Sequence, residues 1–171
     1  TDLVTWYIDA DGDGYGADTD TLESCEIPSG YVANDEDCDD DDDQVYPDAP
    51  ELCDEIDNNC DDEIDEDDAA DASVWYIDED GDGYGDAEIT ATACEEPAGY
   101  VGNATDCNDE ESDQYPGADE VCNEEDDDCD DEIDEDDAAD ATTWYMDADE
   151  DGYGDADVSE TSCEQPSGMV T

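Results

Sequence analysis

The chain has 171 residues, of which 65 are Asp or Glu, and it contains no Lys, Arg or His, for a formal net charge of −65. Phosphate contacts need Lys or Arg, so nucleic-acid binding through the backbone is excluded, and an anionic membrane surface would repel the chain. No apolar run approaches a membrane span, no signal peptide is visible and no Met opens the sequence, so it reads as a mature protein or an excised fragment.

A repeat organises everything else. Trp6, Trp75 and Trp144 are 69 residues apart, as are Cys25, Cys94 and Cys163. Four regions follow: a lead-in over 1–5, repeats over 6–74 and 75–143, and a partial third repeat over 144–171. Each full repeat carries 28 acidic residues. That charge with so few large apolar residues normally reads as disorder. Periodic Trp-Tyr pairs, periodic cysteines and glycines in fixed register argue against disorder once a cation is bound.

In chain order, Thr5 to Ile8 is β-branched and aromatic and predicts a short strand, Thr21 to Cys25 a second, and Tyr31-Val32 a third apolar patch after the turn signal Pro28-Ser29-Gly30. From Asn34 the chain is acidic and turn-like, broken by Val45-Tyr46-Pro47 and Glu51-Leu52-Cys53. Residues 67–72 predict a helical turn into the next repeat. The large apolar residues of a repeat, among them Trp6, Leu22, Ile27, Val45, Ile56 and Ile64, make a thin core for 69 residues. Cores of that size need disulfides or metal. The fold class expected is therefore small-core and loop-rich with short β-strands, as tandem calcium- and disulfide-stapled repeats in an elongated array.

Four cysteines per full repeat point to disulfides and an oxidising compartment. Three pairings are open. The local ones are favoured because they recur inside each repeat: Cys25 with Cys38 and Cys53 with Cys60, then Cys94 with Cys107 and Cys122 with Cys129. They leave Cys163 stranded, either because the chain is cut from a longer array or because it pairs between molecules.

The carboxylates cluster in loops. Calcium takes six to eight oxygens from a flexible loop, with acids at alternate positions converging and a Gly at the sharp turn. Asp9, Asp11 and Asp13, with the carbonyl of Tyr15, fit positions 1, 3, 5 and 7. The copies are Asp78, Asp80, Asp82 and Tyr84, then Asp147, Asp149, Asp151 and Tyr153. No bidentate acid recurs at position 12, so Asp86 and Asp155 at position 9 are candidates to close the shell. A second loop is Asp57, Asn59, Asp61, Asp65 and Asp68, copied as Asp126, Asp128, Asp130, Asp134 and Asp137. A third, weaker one is Asp37, Asp39 and Asp40, copied as Asp106, Asn108 and Asp109. Three calcium ions per repeat would still leave about −22 to be screened by mobile ions.

The strings DADGDGYG at 9–16, CEIPSGY at 25–31, DCDD at 37–40, ELCD at 51–54 and DNNCDDEIDE at 57–66 resemble the "putative metal-binding motif" repeats of large bacterial surface and secreted proteins. The first loop is also similar to thrombospondin type 3 calcium repeats. The resemblance implies a disulfide-rich, metal-binding module with almost no hydrophobic core. This chain departs from the family at Asp62, where Gly is usual, and has no His for copper.

The leading expectation is an extracellular calcium-binding structural protein, a segment of a surface fibre, filament or adhesin stalk that self-associates in a line. Alternatives are a calcium-dependent carbohydrate- or protein-binding module and an acidic metal-sequestering or mineral-nucleating matrix protein. No enzyme is expected: acids are everywhere and no pair stands apart, and a Cys nucleophile would lack a His base. Asn103-Ala104-Thr105 is a glycosylation sequon, so Asn103 is a candidate glycan site.

Overall fold

The structure, a computed structural model, describes residues 2–171. Each Trp-Tyr segment forms the middle strand of a small sheet. In the first, β1 (Val4–Ile8) lies between β2 (Ala17–Ser24) and β3 (Tyr31–Val32). The second contains β4 (Ser73–Ile77), β5 (Asp86–Ala93) and β6 (Tyr100–Val101), and the third β7 (Thr142–Met146), β8 (Asp155–Ser162) and β9 (Met169–Val170), in the same order. Both neighbours of β1 and of β7 run antiparallel to it. The β-branched and aromatic run expected at residues 5–8 therefore forms the central strand, and the second strand begins four residues earlier than expected, directly after the glycine-rich loop.

A register shift between Tyr7 and Ile8 carries the pairing from Thr21 to Ala17, and the same shift occurs between Tyr145 and Met146. Bulges of this kind re-aim the chain at a strand end, here into the acidic loop. Gly16 is required beside it: a Cβ there would lie 2.6 Å from Val32 Cγ2 and 2.8 Å from Ile8 O.

Residues 33–72 contain no strand or helix. The helical turn expected at 67–72 is instead a pair of tight turns, with Ala69 N–H donating to Glu66 O (2.9 Å) and Ala72 N–H to Ala69 O (3.1 Å). Glu51 organises this segment: its buried carboxylate accepts the N–H groups of Asn58 (3.1 Å), Asn59 (3.2 Å) and Asp65 (3.4 Å). Glu120 does the same for Asp127 and Asp134. Asp62 and Asp131 stand at φ 74° and 72°, the left-handed conformation for which Gly is usual and which Asp tolerates better than most residues.

The core is thinner than the sequence suggested. Trp6, Val45 and a few alanines are buried, but Leu22, Ile27, Ile56 and Ile64, expected inside, are 42–66 % exposed. In the second repeat the core is partly polar. Gln114 stands where Val45 does, and it is buried because Asn108 donates to its Oε1 (2.7 Å) and its Nε2 donates to Glu125 (2.6 Å).

The chain divides into two compact units, one of residues 1–74 with 92–95 and the other of 75–91 with 96–171. Each holds two disulfides: Cys38–Cys60 and Cys53–Cys94 in the first, Cys107–Cys129 and Cys122–Cys163 in the second. The local pairings are thus overturned: none of Cys25–Cys38, Cys53–Cys60, Cys94–Cys107 or Cys122–Cys129 forms. Cys163 is bonded rather than stranded, and Cys25 is a free, exposed thiol rather than a disulfide partner. The hairpin supplies the reason. Thr142 pairs with Ser162, so the long outer strand brings Cys163 back beside the segment that precedes β7. Short sequence separation does not choose the partner; strand direction does. Closing a 22-residue loop contributes about 3 kcal/mol through the unfolded chain. Alkylation of the folded, unreduced protein followed by peptide mapping should label Cys25 alone and recover peptides joined through Cys53–Cys94 and Cys122–Cys163. Labelled Cys94 or Cys163 would contradict this connectivity.

Candidate metal centre

The three acids of the first loop share one local design. Asp9 Oδ1 accepts the Gly12 N–H (2.9 Å), Asp11 Oδ1 that of Asp13 (3.1 Å) and Asp13 Oδ1 that of Tyr15 (2.8 Å). Such side-chain turns fix each carboxylate through one oxygen. The other oxygens of Asp11 and Asp13 are buried with no hydrogen-bond partner.

The acids of the weaker, third candidate come to the same place. Asp37 Oδ1 accepts the Asp39 N–H (2.9 Å) while its Oδ2 is buried and unpartnered. Asp40 Oδ1 accepts the Ala10 N–H (2.7 Å), tying the acidic segment to the hairpin loop across 30 residues. Asp9, Asp11 and Asp13 form one group of close carboxylate oxygens, and Asp11, Asp37 and Asp40 form another. Asp39 is not part of it: it is exposed and accepts the Asp41 N–H.

The second repeat reproduces the arrangement. Asp80, Asp82 and Asp106 each accept one backbone N–H, from Asp82, Tyr84 and Asn108, and each leaves Oδ2 buried and unpartnered. Asp109 accepts the Glu79 N–H (2.8 Å), and Asp78, Asp80 and Asp109 form a close group. Asn108 turns to Gln114. The rings of Tyr15 and Tyr84 stack on Tyr46 and Tyr115 at 5.6 and 5.4 Å, which pins position 7 of each loop.

The third loop is different. Both oxygens of Asp147 accept N–H groups, from Asp151 and Gly152, as those of Asp78 do from Gly81 and Gly83, but Asp149 and Asp151 are exposed. Tyr153 is 81 % exposed. Glu150, where the other copies have Gly, sits at φ 58°. Asp86 and Asp155, the position-9 candidates, each spend an oxygen on an N–H two residues on, at the start of β5 and β8. Asp155 still lines a cleft with Asp149 and Asp151.

A second centre lies in the 57–66 segment, with a partly different cast from the sequence reading. Asp57 accepts the N–H groups of Asp61 and Asp62, and Asp126 those of Asp130 and Asp131, so the first acid of each loop shapes the turn. Asp65 and Asp134 are also structural, each accepting two N–H groups from the 54–55 or 123–124 backbone. Asp68 is exposed; Asp137 lines a cleft of about 460 Å³ with Asp128, Asp130, Glu132 and Glu135. The unpartnered buried oxygens belong to Asn59 and Glu66 in one repeat and Asp128 and Glu135 in the other. Asp61, Glu63 and Glu66 form a close group. Glu66 and Glu135, absent from the sequence-based set, were signalled by the Glu that ends each DEIDE string. A close group at Asp106, Cys107 and Cys129 has no ligand value at sulfur, because those two cysteines are bonded to each other.

Asn103, the sequon asparagine, is half-buried beside the first loop of its repeat. Its Nδ2, the atom a glycan would occupy, donates to Gly83 O (2.9 Å), and Asn34 makes the same bond to Gly14 O (3.3 Å).

Electrostatics follow from the geometry. Burial raises the Asp37 carboxyl most; the Asp39 N–H pulls it part of the way down, and the charges of Asp13, Asp11 and Asp40 push it up. Asp106 is raised by burial and by Asp82, Asp80 and Asp109, and Asp11 and Asp82 are raised chiefly by burial. A carboxyl raised on folding favours the protonated fold, so its stabilising contribution is present at low pH and is lost as pH rises through the folded value, above the ordinary 3.8. Metal-free protein should therefore melt at a higher temperature as pH is lowered from 7 into that range. With a cation bound the protein should instead melt lower as pH falls, because protons displace the ion. Melting curves in the two states that shift in parallel with pH would contradict this electrostatic account.

Comparison with curated proteins and with solved structures finds no match. The Cu-binding MopE family model, described as "Putative metal-binding motif", matches residues 37–66 and 106–135. Each match begins at the buried Asp37 or its copy Asp106 and ends at Glu66 or Glu135, and so spans the acidic segment and the second centre of a full repeat. The chain thus contains two segments that match this motif model, one in each full repeat.

Proposed function

We propose that this chain is an extracellular structural repeat whose carboxylate centres take up calcium, and that it forms a segment of a surface fibre, filament or adhesin stalk. The observation that carries the reading is that Asp11, Asp13 and Asp37, and their copies Asp80, Asp82 and Asp106, all leave one carboxylate oxygen buried without a hydrogen-bond partner. Leaving buried carboxylate oxygens facing one another is costly, and a bound cation removes the cost.

The donors favour calcium over the copper in the family's name. They are oxygens; the sequence has no His, and eight of the nine cysteines are in disulfides. Hard oxygen sets suit Ca²⁺, Mg²⁺ or Mn²⁺, and loops of flexible Asp residues suit the larger ion. Four disulfides support an oxidising, extracellular setting. The 69-residue repeat with so small a core supports a linear structural role, in which neighbouring repeats stabilise one another.

Metal would then decide stability. Each site held at a hundred times its dissociation constant adds about 2.7 kcal/mol. Chelator should lower the melting temperature steeply, calcium should restore it more effectively than magnesium or copper(II), and filaments seen by electron microscopy should come apart and re-form with it. A melting temperature indifferent to chelator would overturn the reading. Full rescue by copper alone would replace calcium with copper.

A further inference from the structure

We propose that the DxDxDG loop and the acidic segment about 25 residues downstream are two halves of one cation cage, not two separate sites: Asp37 and Asp40 complete the shell that Asp9, Asp11 and Asp13 begin, and Asp106 and Asp109 complete that of Asp78, Asp80 and Asp82. The inference rests on the calcium reading above and fixes how many ions it involves and what they join. Each full repeat then holds two centres, this cage and the one at Glu66 or Glu135, rather than the three loops that the sequence outlines.

Three observations converge on it. Asp37 is 9 % exposed, yet its Oδ2 has no partner. Asp11 belongs to both close groups of carboxylate oxygens, one with Asp9 and Asp13 and one with Asp37 and Asp40, so a cation held by either group is within reach of the other. The halves are locked in register by two further bonds, from Ala10 N–H to Asp40 Oδ1 (2.7 Å) and from Asp37 N–H to Gly16 O (3.1 Å). The second repeat repeats both, through Glu79 N–H to Asp109 and Asp106 N–H to Gly85 O.

The arrangement also answers a problem in the loop itself. A lone loop with acids at 1, 3 and 5 and no bidentate acid at 12 falls short of the six to eight oxygens calcium takes. The missing oxygens come from Asp37 and Asp40. Bound calcium would therefore clamp the hairpin of a repeat to the acidic segment that leads to Cys38 and its disulfide.

The test is calcium titration calorimetry on the full chain, comparing the unaltered protein with Asp11→Asn, Asp37→Asn and the double variant. One shared cage predicts that each single change weakens the same one ion, about tenfold or more. The double variant should then lose that one ion and no other, while Asp39→Asn changes nothing. Should Asp37→Asn not fold, Asp40→Asn and the second-repeat change Asp106→Asn give the same readout. Loss of two ions in the double variant, or full retention of the Asp11 ion in Asp37→Asn, would overturn the shared cage and leave calcium binding intact. No calcium uptake by the unaltered protein would overturn both.

Discussion

Everything in this molecule depends on how a carboxylate's two oxygens are divided. One oxygen takes a backbone N–H two or three residues on and so sets the course of a loop that has no helix or strand to shape it. The second is left to face its neighbours. Asp11, Asp13 and Asp37 do this in the first repeat and Asp80, Asp82 and Asp106 in the second, with near-identical partners. Without a cation those oxygens repel one another; with one, they become the inside of the fold. A chain with 65 acids and no basic residue cannot resolve that conflict from its own side chains.

The sheets serve this division. β1 is central because Trp6 and Tyr7 favour an extended chain, and the bulge at Ile8 turns the loop toward the acidic segment. In the second and third sheets the hairpin returns its cysteine toward the segment ahead of the sheet, where Cys94 meets Cys53 and Cys163 meets Cys122. Little apolar surface is buried. Where Val45 supplies some in the first repeat, the second uses Gln114 held by Asn108 and Glu125, so the framework survives replacement of a core residue by a polar one that keeps its hydrogen bonds.

Much of this was legible in the sequence, and the failures share a cause. β-Branched and aromatic runs marked the central strands, and the 69-residue spacing marked the repeat. The DxDxDG string grouped Asp9, Asp11 and Asp13, whose oxygens do lie close together, because its contacts are local. What could not be read were contacts between distant segments: that Asp37 and Asp40 meet Asp11, that Cys53 reaches Cys94, and that Asp65 caps a turn while Glu66 points inward. Adjacent acids are chemically alike, and only the backbone decides which turns in. Ile27 and Ile64 misled for the opposite reason: an apolar side chain in a chain this acidic need not find a core to enter.

The most direct test is a crystal structure grown with calcium, with the ions located by their anomalous scattering. The account predicts a calcium within about 2.3–2.6 Å of carboxylate oxygens from both Asp11 and Asp37, and an equivalent ion at Asp80 and Asp106. A calcium held by Asp9, Asp11 and Asp13 alone, with the Asp37 carboxylate turned away, would contradict it.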